Sequence, residues 1–372
     1  MRSRIKKLLR LMDDFGLPGI ALNPGPTLTY LTGLHFHLME RPTVLLISAE
    51  GEMVLVLPAL EAGKLSKISL EIQAFTYDDD PETRPGAFMR AIEHLDLPGE
   101  ELGVESNRMR FLEMVYLGEA LPGRAFVDAS PCLADLRMVK EDSEVERMRH
   151  AAQIAQSALL ETLKSLRVGM TEKEVANQLI IQLLQAGSDP ELPFTPIVAF
   201  GENSANPHSI PTDRALRPGD LMLVDWGASW AGYLSDITRT FTFGTVDPEL
   251  LKVGDIVLQA NQAGRAAGQV GLAAGAVDRA ARSVISQAGY GEAFIHRTGH
   301  GLGLEAHEEP YIFEGNTLEL EPGMTFTVEP GIYLAGKGGV RIEDDMVVTE
   351  NGLASLTDLP RALLPLEDLM DA

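Results

Sequence analysis

The sequence predicts an α/β chain in two domains: an N-terminal mixed-sheet α/β domain over residues 1–132, then an α+β domain with a pseudo-twofold repeat over residues 133–372. Three observations carry this reading. Strand-patterned and helix-patterned segments alternate through the first part of the chain, which argues for a mixed sheet covered by helices. The character changes after Ser143, where a long amphipathic helix begins. Beyond that helix the chain repeats itself. Val168-Gly-Met170 leads through a helical stretch to Gln185-Ala-Gly187, and Val270-Gly-Leu272 leads likewise to Gln287-Ala-Gly289. Leu216-Arg-Pro-Gly-Asp-Leu-Met-Leu-Val-Asp225 parallels Leu320-Glu-Pro-Gly-Met-Thr-Phe-Thr-Val-Glu329, so each Pro-Gly turn launches a strand that delivers a carboxylate.

Taken in order, residues 1–16 read as a helix, Gly19–Leu22 as a strand and Pro26–Leu31 as a short helical turn. Val44–Ser48 and Met53–Leu57 flank Glu50-Gly-Glu52, a hairpin signal. Glu61–Ile68 is expected to be helical, Ile72–Tyr77 a strand, Phe88–Leu95 a helix, Leu102–Val104 a strand and Arg110–Leu117 a helix. Val145, Met148, Ala152, Ala155, Leu159, Leu160 and Leu163 mark the apolar side of the long helix to Leu166.

A net charge of -23 argues against nucleic acid as a partner, because phosphate binding needs a basic face. The single cysteine, Cys132, excludes an internal disulfide framework. The basic N-terminus lacks the apolar core of a secretory signal, and no apolar run is long enough to span a bilayer. A cytoplasmic protein with no membrane partner is expected.

The chemistry centres on two strand pairs. Asp225 and Asp236 are equidistant from the midpoint between Trp230 and Ala231, so a hairpin of that register sets them directly opposite each other. Glu343 lies as far beyond Gly336 as Glu329 lies before it, which sets those two opposite each other as well. Two close carboxylates can share a proton or a cation. Four at mirrored positions in apolar strands cannot share a few protons cheaply at neutral pH, so metal ions become the expected neutraliser. His300, in Thr298-Gly-His-Gly-Leu-Gly303, adds an imidazole between glycines that let the backbone approach an ion. Oxygen-rich ligation with one imidazole suits Mn²⁺, Co²⁺ or Zn²⁺, and two metals sharing carboxylates suit hydrolysis. His208, in Asn206-Pro-His, and His307, in Glu305-Ala-His-Glu-Glu-Pro310, read either as surface loop histidines or as donors to a carbonyl or a leaving amine. Arg341 shares a strand face with Glu343 and reads as a bidentate holder of a substrate carboxylate or as a counter-ion to the acids. His35, His37, His94, His150 and His296 are assigned no role. There is no Walker loop and no Gly-x-Ser-x-Gly elbow.

These motifs resemble a known family. Val-Asp225-Trp-Gly-Ala, Ser-Asp236-Ile-Thr-Arg-Thr, Gly-His300-Gly-Leu-Gly, Glu329-Pro-Gly and Arg341-Ile-Glu343-Asp are similar, in order and setting, to the ligand motifs of the pita-bread metallopeptidases, among them methionine aminopeptidase, aminopeptidase P and prolidase. The likeness spans nearly all of the second domain. The first resembles the N-terminal domain of prolidase and aminopeptidase P, which speaks against methionine aminopeptidase. The resemblance implies a creatinase/aminopeptidase-like catalytic domain with two divalent metal ions per subunit, manganese first, with cobalt or zinc as alternatives. It implies that Asp225 chelates one metal, that His300 and Glu329 bind the other and that Asp236 and Glu343 bridge both. It further implies hydrolysis of the Xaa-Pro bond of a small peptide with proline second, Glu329 acting as base, His208 and His307 assisting, and a homodimer. Within that branch prolidase, acting on dipeptides, is favoured over aminopeptidase P; a metal-free creatinase-like hydrolase and a non-catalytic binding protein are the more remote alternatives.

Overall fold

The computed structural model describes residues 1–370 of the chain as two compact units, the first Met1–Arg137 and the second beginning at Met138. The division falls later than the expected 132 because one helix, Ser130–Met138, runs across that point, and its Cys132, Leu133 and Leu136 are buried.

The first unit is built on a six-stranded sheet in the order Gln73–Tyr77, Met53–Pro58, Val44–Ser48, Gly19–Leu22, Glu101–Val104, Ala125–Asp128. It is mixed: Val44–Ser48 is antiparallel to both its neighbours and the remaining pairs are parallel. The expected hairpin forms with Ile47 opposite Met53, Gly51 taking the positive φ of the turn. The last strand lies outside the expected elements, since Ala125–Asp128 is too short to show a period. The stretch expected as a helix at Glu61–Ile68 is a 3₁₀ segment, Ala59–Lys67, with Gly63 inside it.

The second unit is duplicated. Its first half pairs the helix Asp142–Ser165 with Glu172–Gln185 and carries antiparallel strands in the order Ile197–Phe200, Leu221–Trp226, Ile237–Thr242. Its second half pairs Pro248–Ala267 with Gly275–Gln287 and carries Gly299–Gly301, Thr325–Val328, Asp344–Thr349 in the same order and sense. Isolated bridges recur at corresponding places, Thr171 with Ala215 and Ala273 with Glu319. Both long strand pairs continue past an irregular break into a two-stranded extension, Ser229–Trp230 with Tyr233–Leu234 and Gly331–Leu334 with Gly338–Arg341. The halves are sewn together along one seam: Glu343 N–H donates to Thr238 O (3.1 Å), and Thr240 Oγ donates to Arg341 O (3.0 Å).

Helix Asp142–Ser165 forms as its sequence demands. Glu141 and Glu144 close a capping box at its start, and Met148, Ala152, Ala155, Leu159 and Leu163 are buried, with Leu160 alone of the expected stripe facing outward. Trp226 anchors the strand below it by donating from Nε1 to Ala155 O (2.8 Å). No helix among the described residues is long and apolar enough to cross a membrane.

Candidate metal centre

The acids lie where the strand pairs break. Asp225 is next to last in Leu221–Trp226. Asp236 falls between Tyr233–Leu234 and Ile237–Thr242, Glu329 between Thr325–Val328 and Gly331–Leu334, and Glu343 between Gly338–Arg341 and Asp344–Thr349. A regular ladder would send successive side chains to opposite faces; the breaks let these carboxylates turn to one point.

The first hairpin corrects the expected register. Trp230 pairs with Tyr233 across Ala231 and Gly232, both with positive φ as a type I′ turn requires, so the pairing is centred one residue later than expected. Thr238, not Asp236, therefore faces Asp225. The two aspartates converge diagonally, and Glu343 arrives from the other half. One ligand atom from each of Asp225, Asp236 and Glu343 lies within 4.8 Å of the others. In the second half the expected register holds, Gly331 facing Arg341 and Val328 facing Asp344 with Glu329 and Glu343 between.

His300 meets this cluster. His300, Glu329 and Glu343 form a second group within 4.8 Å, and Asp236, His300 and His307 a third. Among the carboxylates Asp236 and Glu343 thus each belong to two groups, as does the His300 imidazole. The glycines beside His300 have a different cause from the one expected: a Cβ on Gly299 would lie 1.8 Å from Thr327 O and one on Gly301 2.3 Å from Glu309 O. They let the His300 strand fit between its neighbours.

The electrostatics are those of a site built for cations. Burial, then the neighbouring Glu343 and Asp225 charges, pushes Asp236 well above the usual carboxylate range. Burial likewise raises Asp225 and, with the Glu329 charge, Glu343; it pushes Glu329 up to about 7. Burial and then His307 hold His300 well below its ordinary value, so its ring is neutral. Its Nδ1 lies 3.1 Å from Gly301 O, and because a carbonyl only accepts, Nδ1 carries the proton. Nε2 then presents a bare lone pair to Glu329 Oε1 at 3.4 Å and Asp236 Oδ2 at 3.6 Å. Acceptor faces acceptor, and Asp225 Oδ1 is buried without a hydrogen-bond partner. Cations between these atoms satisfy all of them, so the donor set fits divalent metal ions.

Arg341 is the counter-ion. It is buried, and its donors go to Asp225 Oδ2 (2.6 Å), Thr238 Oγ (2.9 Å), Tyr333 Oη (2.9 Å) and Pro207 O (3.3 Å). Of the two expected readings, these contacts fit the counter-ion to the acids. Thr238 Oγ in turn donates to Glu343 Oε2 (2.5 Å), and Asp345 accepts the Asp236 N–H (3.1 Å). Beneath them Asp344, raised by burial but held at about 2 by Arg239 and Arg361, ties the seam to the C-terminal segment.

Two residues missing from the expected set belong here. Tyr333 links Arg341 to His296, whose Nε2 is 2.9 Å from Tyr333 Oη. His296, assigned no role from sequence, is therefore part of the chain His296–Tyr333–Arg341–Asp225. Neither carries a local sequence signal, since Tyr333 lies on the strand after the break at Glu329.

His307 is exposed and stacks against His300, ring centroids 3.8 Å apart. His208 is exposed on the Gly201–Arg214 segment and near enough to lower both Asp225 and His307 by its field. It lines a groove of about 490 Å³ with Asn203, Asn206, Ser209, Ile210 and Thr212. Asp278 holds the start of the His300 strand by accepting from Thr298 N–H (2.9 Å) and Oγ (2.7 Å).

A duplicated domain whose halves meet around four acids and a neutral imidazole defines a metallohydrolase class. Known proteins make the class specific. Residues 146–350 match the Metallopeptidase family M24 and residues 4–139 the Creatinase/Prolidase N-terminal domain. The chain is similar to a dipeptidase structure from Pyrococcus horikoshii OT3 (41% identity, TM-score 0.91, covering 97% of this chain and 99% of that one). It is also similar to a recombinant prolidase from Thermococcus sibiricus (36%, TM-score 0.92, 98% of each chain) and to the putative dipeptidase YkvY of Bacillus subtilis (35%, 97% of this chain and 99% of that one). The chain belongs to metallopeptidase family M24 and is a peptidase with a creatinase/prolidase N-terminal domain.

Proposed function

We propose that the chain hydrolyses the Xaa-Pro bond of dipeptides with two divalent cations, held at one position by Asp225 and at the other by His300 and Glu329, with Asp236 and Glu343 shared between them. The observation that carries this is the setting of His300, whose Nδ1 lies 3.1 Å from Gly301 O while its Nε2 lies 3.4 Å from Glu329 Oε1 and 3.6 Å from Asp236 Oδ2. The sharing rests on Asp236 and Glu343 each belonging to two ligand groups. The substrate reading rests on the similarity to proteins described as dipeptidases and as a prolidase.

When bound, such cations supply a nucleophilic water at neutral pH and polarise the scissile carbonyl. Glu329, whose Oε1 lies 3.4 Å from His300 Nε2, would accept a proton from the attacking water. His208 and His307, on the exposed side of the cluster, donate toward the carbonyl oxygen and the leaving proline nitrogen. Arg341 orients Asp225 and favours its ionised form against the effect of burial.

The oxygen-rich donor set supports manganese, with cobalt or zinc as the alternatives. A cytoplasmic homodimer completes the reading; static light scattering at the mass of one chain would remove the dimer from it. The deciding assay follows a Xaa-Pro dipeptide and a Xaa-Pro-Xaa tripeptide with chelated protein reloaded by each metal in turn. Dipeptide hydrolysis supports the proposal. Preference for the tripeptide would make the chain an aminopeptidase P, and no activity with any metal would favour a creatinase-like hydrolase or a binding protein.

A further inference from the structure

Glu172 is the first residue of helix Glu172–Gln185 and is fully buried. The helix does not need it as a cap, because Thr171 and Glu174 already form a complete capping box. A buried carboxylate is costly unless several donors meet it. Glu172 takes all the donors recorded for it from one loop. Oε1 accepts from Phe200 N–H (2.7 Å) and Asn203 Nδ2 (2.9 Å); Oε2 accepts from Asn203 Nδ2 (3.1 Å), Thr212 N–H (2.9 Å) and Thr212 Oγ (2.6 Å). The helix start adds Glu172 N–H to Arg214 O (3.0 Å) and Lys173 N–H to Thr212 O (3.1 Å). One carboxylate thus clips both ends of the segment 200–212, as an Ω-loop requires.

That segment carries His208. Asn203 and Thr212, the two side chains gripping Glu172, also line the groove beside it. At the far side of the loop Pro207 O accepts from Arg341, the counter-ion of the acid cluster. His208 is therefore held between two anchors, Glu172 at the base of the loop and Arg341 at its tip.

We propose that Glu172 is a positioning residue for His208: it fixes the loop so that the imidazole meets the substrate, and it acts on the reaction through that histidine and not through the acid cluster. The inference rests on the proposed role of His208. In the second half a buried acid at a different place in its helix, Asp278, grips Thr298 just ahead of His300.

The test is a double-mutant cycle on the metal-loaded enzyme with Glu172→Gln, His208→Ala and both together, read by kcat and KM on a Xaa-Pro dipeptide, by bound metal, and by hydrogen exchange. Glu172→Gln is expected to lower kcat/KM roughly 10- to 100-fold, the scale of misplacing one group by about 1 Å, with metal content unchanged. The double variant is expected to be no slower than His208→Ala. Amide exchange should rise over 201–212 and stay level over 221–226. Losses that multiply, a Glu172→Gln enzyme at wild-type rate, or one that loses metal would each overturn the proposal. Wild-type activity in His208→Ala would overturn both the proposal and the role it rests on. Should the wild type prove inactive on the dipeptide, the substrate reading fails by itself, and the exchange arm still decides whether Glu172 holds the loop. Thr212→Val, which removes one grip without touching the buried acid, should repeat the exchange change if Glu172→Gln fails to fold; level exchange there overturns the clamp.

Discussion

The imidazole of His300 decides how the four acids around it coexist. Protonated, it would neutralise one of them; burial keeps it neutral, and Arg341, paired with Asp225, faces four carboxylates with the more distant fields of Arg297 and His208 to help it. Without cations the acids therefore retain protons. Glu329, ordinarily near 4.5, is pushed by burial to about 7. The folded chain then holds a proton that the unfolded chain has released, so this contribution to stability is full below about pH 4.5 and is lost as pH rises through about 7. Chelated protein should lose melting temperature between about pH 5 and about pH 8, and metal-loaded protein should not; parallel curves would show that the acids are neutralised in some other way. The five ligand candidates were legible in the sequence because strand spacing and the paired Pro-Gly turns are local. Tyr333 and His296 were not, since their role depends on Arg341 turning inward to meet Tyr333. Glu172 was hidden for a different reason: Thr171-Glu-Lys-Glu174 reads as a helix cap, and only the fold reveals a carboxylate gripping a loop.

The four carboxylates sit on two strand pairs that break beside them, and His300 on the neighbouring strand Gly299–Gly301. The sequence predicted both pairs, yet misplaced the first by one residue because its centre was judged from symmetry between Asp225 and Asp236. The turn chemistry points to the observed register: Gly232 favours positive φ, and Ala231 is carried with it at φ 50°. Ala231→Asn, which tolerates that conformation, should raise stability by about 0.5–1 kcal/mol in urea denaturation, given the strain of a left-handed alanine. A loss of stability would mean that the turn is held by its neighbours. At the His300 strand the controlling contact is Asp278. Asp278→Asn puts an amide among donors and should cost about 1.5–3 kcal/mol of stability. It should also weaken metal retention roughly 10- to 100-fold, as the loss of a group supporting a ligand does; equilibrium dialysis against a chelator measures this, and unchanged retention would make Asp278 purely structural.

Across the whole molecule, duplication does the organising. Two halves of the same strand order meet at one seam, and neither could assemble the cluster, because Asp225 and Asp236 come from one and His300, Glu329 and Glu343 from the other. The repeat was visible in the sequence as paired Val-Gly and Pro-Gly motifs. The interleaving of Arg341 and Thr238 across the seam was not, since it joins residues 103 apart in the chain. On our proposal these five side chains hold metal used for peptide hydrolysis, with Asp236 shared. The most direct measurement is metal content together with Xaa-Pro dipeptide hydrolysis for wild type and Asp236→Ala, purified and reloaded side by side. The expected result is about two divalent ions per chain in the active wild type, as shared-carboxylate centres hold, with both metal and activity lost in the variant. Wild-type metal content and rate in Asp236→Ala would contradict it.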